Sequence, residues 1–99
     1  MIYPSLNKLR TFVAVAQHGS FRKAAEQLHL SQPALSAHIR TLEEALQVSL
    51  FHRTTRSIAL TNEGERLLIG AQRAFDALDA VLLDLREQVA LLRGRITIS

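Results

Sequence analysis

From Leu68 onward the large apolar residues fall on a fixed beat. Leu68, Ala71, Phe75, Leu78, Leu82, Leu85, Val89 and Leu92 step alternately three and four residues apart, an unbroken stripe over four heptads. Only a helix gathers positions so spaced onto one face. Thr61 opens it, with Glu63 and Glu65 in a first turn where carboxylates face the positive end of the helix dipole. From Asn62 to Arg93 the helix would run about 48 Å. The residues ahead of it form too small a body to bury such a stripe along its whole length. A second copy of the same helix supplies the missing surface, so the stripe predicts a homodimer with these eight residues as its seam. The alternative is a helix packed within its own chain against a further domain.

Ninety-nine residues suit one small domain, or one small domain with an appendage, and an apolar fraction of 47% is that of a folding chain. No cysteine is present, which excludes disulfides and cysteine-based zinc sites. The early apolar run from Phe12 to Ala16 is too short for a signal-peptide core or a membrane span. A soluble, cytoplasmic chain with no membrane partner is expected. Charge is uneven along it. Residues 1–60 carry seven Lys or Arg against three acids, a net +4, whereas residues 61–99 carry five Arg against six acids, a net −1. A basic head on a slightly acidic tail points to a polyanionic partner for the head.

Within the head the periodicity predicts three helices. The first covers Ser5 to about His18, with Leu6, Leu9, Phe12, Val13 and Ala16 along one side, and Gly19 suits the left-handed residue that ends it. Ser20 caps a second helix reaching about Leu28. After a turn at His29-Leu30, Ser31 caps the third, and Pro33 falls in its first turn, where a missing N–H costs nothing. Val48–Arg53 and Ser57–Leu60 then read as the strands of a small β-hairpin joined through Thr54-Thr55-Arg56, a turn lacking Gly or Asn. Past Gly94 the segment RITIS alternates like the beginning of a strand.

The third helix has an unusual outward face. Leu35, Ile39, Leu42 and Leu46 form its buried stripe, but the first two outward turns carry only Pro33, Ser36 and Ala37, with nothing long before Arg40. A helix that enters the major groove of duplex DNA must bring its N-terminal turns against base edges, and small side chains there permit the approach. Gln32 can pair bidentately with adenine, and Ser36 can hydrogen-bond a base or a phosphate. Two helices joined by a short turn, the later one bare at its N-terminus, and then a hairpin tipped by Arg53 and Arg56 make a winged helix-turn-helix. His38 points partly toward the core and is not expected to read bases.

The run GSFRKAAEQLHLSQPALSAHIRTLEEALQVSLFHRTTRSIALTNEGERLL closely resembles the N-terminal signature of the LysR family of bacterial transcriptional regulators. It holds A-A-x-x-L-x-x-S-Q-P-A-x-S from Ala24 to Ser36, then Leu42-Glu43, Leu50-Phe51, Arg53, Arg56, Leu60-Thr61 and Gly64. The resemblance implies a mainly α fold: a winged helix-turn-helix of three helices and a wing over residues 1–60, and a coiled-coil linker helix over residues 61–93. Residues 94–99 would begin an effector-binding domain of periplasmic-binding-protein type. It further implies binding to an interrupted palindrome in double-stranded promoter DNA, linker helices paired antiparallel, and tetramers of the full-length protein. No cofactor is expected within these residues, since the small-molecule effector belongs to the C-terminal domain. The expected DNA contacts are Ser31, Gln32, Pro33, Ser36, Ala37 and Arg40 on the third helix, Arg53, Thr54 and Arg56 on the wing, and Arg22 on the second helix. Many relatives carry Arg where this chain has Ala37, and Gly near Thr55, so the base readout such an arginine gives should be absent at position 37 and the shape of the wing tip should differ.

Other chemistries find less support. His18, His29, His38 and His52 fall at no metal-ligand spacing. No G-x-S-x-G nucleophile turn is present, and no enzymatic activity is expected. The rival class is a protein-interaction module in which the coiled coil is the function and the basic head merely folds. Within DNA binding, the runner-up is a stand-alone winged-helix repressor, against which the RITIS segment argues.

Overall fold

The computed structural model describes residues 3–54 and 57–98, with the side chains of the last helix as far as Leu92. In chain order it forms α1 (Leu6–His18), α2 (Phe21–Leu28), α3 (Gln32–Leu46), β1 (Phe51–Arg53), β2 (Ile58–Leu60) and α4 (Asn62–Ile98). The early boundaries have the expected local causes. Gly19 ends α1 at φ 65°. The Ser20 hydroxyl accepts from the Lys23 N–H, and the Ser31 hydroxyl from the Ala34 N–H, each at 3.2 Å. Two further helix ends use non-glycine residues, His29 at φ 58° and Gln47 at φ 60°. Each offers its N–H to the last carbonyls of the helix it closes.

α1, α2 and α3 pack against one another around Phe12, Val15, Ala24, Ala25, Leu35, Ile39 and Leu42, and the hairpin closes the core with Leu50 and Phe51. The Phe51 ring lies 5.4 Å from that of Phe12 and meets Phe21 edge-on at 5.9 Å. β1 and β2 pair antiparallel with Phe51 opposite Leu60 and Arg53 opposite Ile58. The strands are shorter than the expected 48–53 and 57–60. The Val48 N–H completes the end of α3 by bonding the Glu43 carbonyl, and the Leu50 N–H is taken at 2.8 Å by the Glu43 carboxylate.

The wing joins α4 through one residue. Thr61 donates its hydroxyl hydrogen to the Ser49 carbonyl at 2.7 Å, accepts from the Gly64 N–H at 2.9 Å, and sends its own N–H to the Leu50 carbonyl at 3.0 Å. The threonine thus caps α4 and ties it to the base of the hairpin.

Two expectations about α4 are corrected. The eight-residue stripe is divided: Ala71 and Phe75 are buried against α1 of their own chain and Leu68 packs at the edge of the core, so this end of the stripe is not free for a seam. Arg10 lies over the Phe75 ring at 4.6 Å and covers its outer side. Leu78, Leu82, Leu85, Val89 and Leu92 are exposed. The second correction is at the end. No strand begins after Gly94; the helix continues past Arg93 to Ile98. An isolated strand has no neighbour for its backbone groups, whereas a helix satisfies them internally.

Candidate nucleic-acid interface

α3 presents the expected face. Ser31, Gln32, Pro33, Ala37 and Arg40 are exposed, Ser36 is half-buried, and Leu35, Ile39 and Leu42 are shut in the core. After Gln32 at its start, the next long side chain on the outward side is Arg40, two turns in. His38 is occupied internally, with Nδ1 3.3 Å from the Thr11 hydroxyl. That hydroxyl spends its one hydrogen on the Asn7 carbonyl at 3.0 Å, so the bond needs the imidazole proton on Nδ1. The packing of α3 on α1 therefore includes a polar pin directly behind the reading face.

The wing departs from a free basic tip. The Arg53 guanidinium sits 3.8 Å from the Glu43 carboxylate and 5.1 Å from the centre of the Phe21 ring. One acid near the end of α3 thus holds the wing arginine while accepting from the Leu50 N–H. Phe21, at the start of α2, supplies the flat surface beneath. Thr54 replaces the missing turn residue: its hydroxyl donates to the Ser57 carbonyl at 2.9 Å and accepts from the Ser57 N–H at 3.0 Å. The Thr54 N–H bonds the same carbonyl at 3.0 Å. This polar knot closes the loop without a glycine. Arg56 lies outside the described residues, as does Thr55. Arg22 pairs with Glu26 one turn on, at 3.6 Å, with both side chains well exposed.

Between the start of α2 and the wing lies a notch of about 290 Å³, with Ser20, Thr54 and Ser57 among its lining residues. Glu43 and Phe21 lie within the run that carries the family resemblance, but their holding of Arg53 had no signal in the sequence, because it depends on where Arg53 lands. Among the described residues no group of His, Cys, Asp or Glu could hold a metal ion, and no helix is long and apolar enough to cross a membrane.

Comparison with known proteins agrees with this geometry. Residues 6–65 match the family described as bacterial regulatory helix-turn-helix protein, lysR family. The HTH-type transcriptional regulator PtxR of Pseudomonas aeruginosa is 46% identical over 95 residues, which cover 96% of this chain but 30% of PtxR. Among solved structures, the oxidised form of Corynebacterium glutamicum OxyR superposes with a TM-score of 0.77 at 42% identity, over 82% of this chain and 25% of OxyR. A complex of the BenM DNA-binding domain with catB site 1 DNA superposes with a TM-score of 0.78 at 36% identity, over 87% of this chain and 96% of that one. The chain therefore spans under a third of PtxR and OxyR, but nearly the whole of an isolated DNA-binding domain. The fold is a winged helix-turn-helix with a long following helix, and the family is one of regulators, not of enzymes. The chain belongs to the lysR family of bacterial regulatory helix-turn-helix proteins.

Proposed function

We propose that this chain is the DNA-reading and dimerising part of a cytoplasmic bacterial transcriptional regulator. It binds double-stranded promoter DNA at an interrupted palindrome. The observation that carries the reading is the outward face of α3, exposed at Gln32, Pro33 and Ala37 and free of long side chains between Gln32 and Arg40. Seated in the major groove, this face brings Gln32 and Ser36 to base edges and leaves the thymine-methyl contact to Ala37. Arg40, Arg53 and Arg56 meet the flanking phosphates, with Arg22 and the hydroxyl-lined notch of Ser20, Thr54 and Ser57 beside them. Residues 1–60 are the reading head and residues 61–93 the dimerising helix. Residues 94–99 lead toward an effector-sensing domain, consistent with relatives more than three times as long. The full-length protein is proposed to be a tetramer that senses a small molecule.

Selection of bound duplexes from a random pool, followed by titration of the best one at several salt concentrations, tests the reading. If a dimer neutralises about six phosphates, log K falls with log salt at a slope of about −5. Failure to enrich any palindromic half-site, or an affinity indifferent to salt, would overturn it.

A further inference from the structure

Ser36 and Ala37 read with almost no reach. A long arginine can bend to make up for an error in where its helix sits, but a hydroxyl on one carbon or a bare methyl cannot. Their contacts therefore depend on how the backbone of α3 is held. At a radius of about 5 Å, a roll of about 10° around the helix axis carries a side-chain atom by about 0.9 Å. A hydrogen bond tolerates a spread of only about half an ångström. A small roll of α3 is thus enough to lose a base contact or jam it.

The buried stripe of Leu35, Ile39 and Leu42 holds α3 against the core, but apolar burial has no preferred direction. Two directional bonds stand on the flanks of that stripe. On one flank His38 Nδ1 lies 3.3 Å from the Thr11 hydroxyl of α1. On the other the Glu43 carboxylate accepts from the Leu50 N–H at the base of the wing, at 2.8 Å. At 100° per residue, His38 stands about 100° around the helix from Ala37 in one sense, and Glu43 about 120° in the other. The two bonds straddle the reading face.

The bond to α1 is the stiffer of the two. Glu43 is shared with Arg53 at the edge of solvent. Thr11 is only 3% exposed. A free hydroxyl can rotate to suit any partner, and so imposes no direction. That of Thr11 has already given its hydrogen to the Asn7 carbonyl at 3.0 Å, one turn back in the same helix. Its lone pairs are therefore fixed relative to α1, and only a ring carrying hydrogen on Nδ1 completes the bond.

We infer that Thr11 and His38 are positioning residues for base recognition: Thr11, sealed inside the head, sets through His38 the angle at which Ser36 and Ala37 meet the base pairs. The inference rests on the DNA reading proposed above and gives a share in specificity to a residue that cannot touch DNA.

The readout is discrimination, the ratio of affinities for a selected duplex and for one with a single base pair changed in its half-site. Thr11→Val keeps the shape and removes the hydroxyl; it should lower the ratio about fivefold, a part of what one well-made base contact supplies. The salt slope should stay as it is, because no phosphate contact is lost. Thr11→Ser keeps the hydroxyl and should keep the ratio. His38→Leu should lose as much as Thr11→Val, whereas His38→Asn should hold, since its amide nitrogen hangs from Cγ as Nδ1 does. Val13→Ala trims α1 on its Phe75 side and should lower the melting temperature with the ratio intact. In nitrogen-correlated spectra at alkaline pH, His38 should carry its hydrogen on Nδ1. A hydrogen on Nε2 overturns the inference and leaves the DNA reading standing. So does an unchanged ratio in Thr11→Val, or an equal loss in Val13→Ala, either of which would make the bond a matter of stability alone. A wild-type chain that selects no duplex overturns the DNA reading and this inference with it.

Discussion

Gly64 lies so close to Leu50 that a Cβ added to the glycine would stand 2.2 Å from the Leu50 carbonyl oxygen. The same oxygen accepts the Thr61 N–H, and the Leu50 N–H is held by Glu43. Leu50 is therefore fixed at both its backbone groups, and the first turn of α4 rests directly on it. Gly64→Ala must displace the wing from α4, because the atom met is backbone and cannot swing aside. The expected loss is about 2–3 kcal/mol of stability, despite the better helix propensity of alanine. Chemical denaturation checks it, and Gly70→Ala is the control, since nothing lies within 4 Å of a Cβ built there.

Glu43 serves two partners that conservative changes can separate. Glu43→Gln keeps an oxygen for the Leu50 N–H but gives up the charge that holds Arg53. Stability should change by less than about 1 kcal/mol, as is usual for a half-exposed ion pair. DNA affinity should rise a few-fold, because a negative charge beside the wing arginine is removed. Glu43→Ala should also orphan the Leu50 N–H and cost about 1–3 kcal/mol in urea unfolding.

Arg53→Ala tests whether the held arginine still reaches phosphate. Affinity for a selected duplex should fall by about 1–2 kcal/mol and the salt slope should become shallower. Unchanged slope with weaker binding would mean that Arg53 acts by shaping the wing through Phe21 and Glu43, not by touching the backbone of DNA.

The reading face answers to three substitutions differently. Gln32→Ala should relax the preference at one base pair in each half-site, at about 1–3 kcal/mol. Ser36→Ala should weaken binding only modestly, since water can take the place of one hydroxyl contact. Ala37→Arg puts a long side chain on the barest part of α3, so it should either shift the selected half-site or abolish binding. Site selection with each variant, after circular dichroism has verified folding, reads all three outcomes.

Leu82→Asp should bury a carboxylate in the seam and cost dimerisation several kcal/mol, leaving a folded monomer in sedimentation. The head should keep its melting behaviour, because Leu82 lies beyond the part of α4 that packs on α1.

What could be read from the sequence was whatever depends on neighbours along the chain. The caps at Ser20 and Ser31, the left-handed Gly19, the apolar stripes of α1 to α3 and the bare outward face of α3 each follow from spacing and local chemistry, and they place the three head helices to within about a residue. Contacts between distant residues were not legible. Nothing near Glu43 announces that Arg53 will come to lie beside it, and a heptad stripe does not say which of its members face its own head. Phe75 looks like any core position of a coiled coil until Arg10 and α1 close over it. Thr54 was legible as a turn residue only in name; that its hydroxyl would stand in for a glycine depended on Ser57 folding back to meet it.

The burial of Ala71 and Phe75 on α1 makes the head and the first turns of α4 one solid piece, so the paired helices act as a spacer with a fixed phase. One residue inserted in the exposed part of α4 would turn each head by about 100° relative to the seam, as the helical repeat dictates. Seven residues inserted there would restore the facing but move each head outward by about 10 Å, so that the two together part by about 20 Å. On duplex DNA that displacement corresponds to about six base pairs, which is out of step with the turn of the double helix. In the proposed dimer, the distance between the half-sites a regulator of this kind can bridge is thus written in the number of residues between Phe75 and the centre of its helix pair.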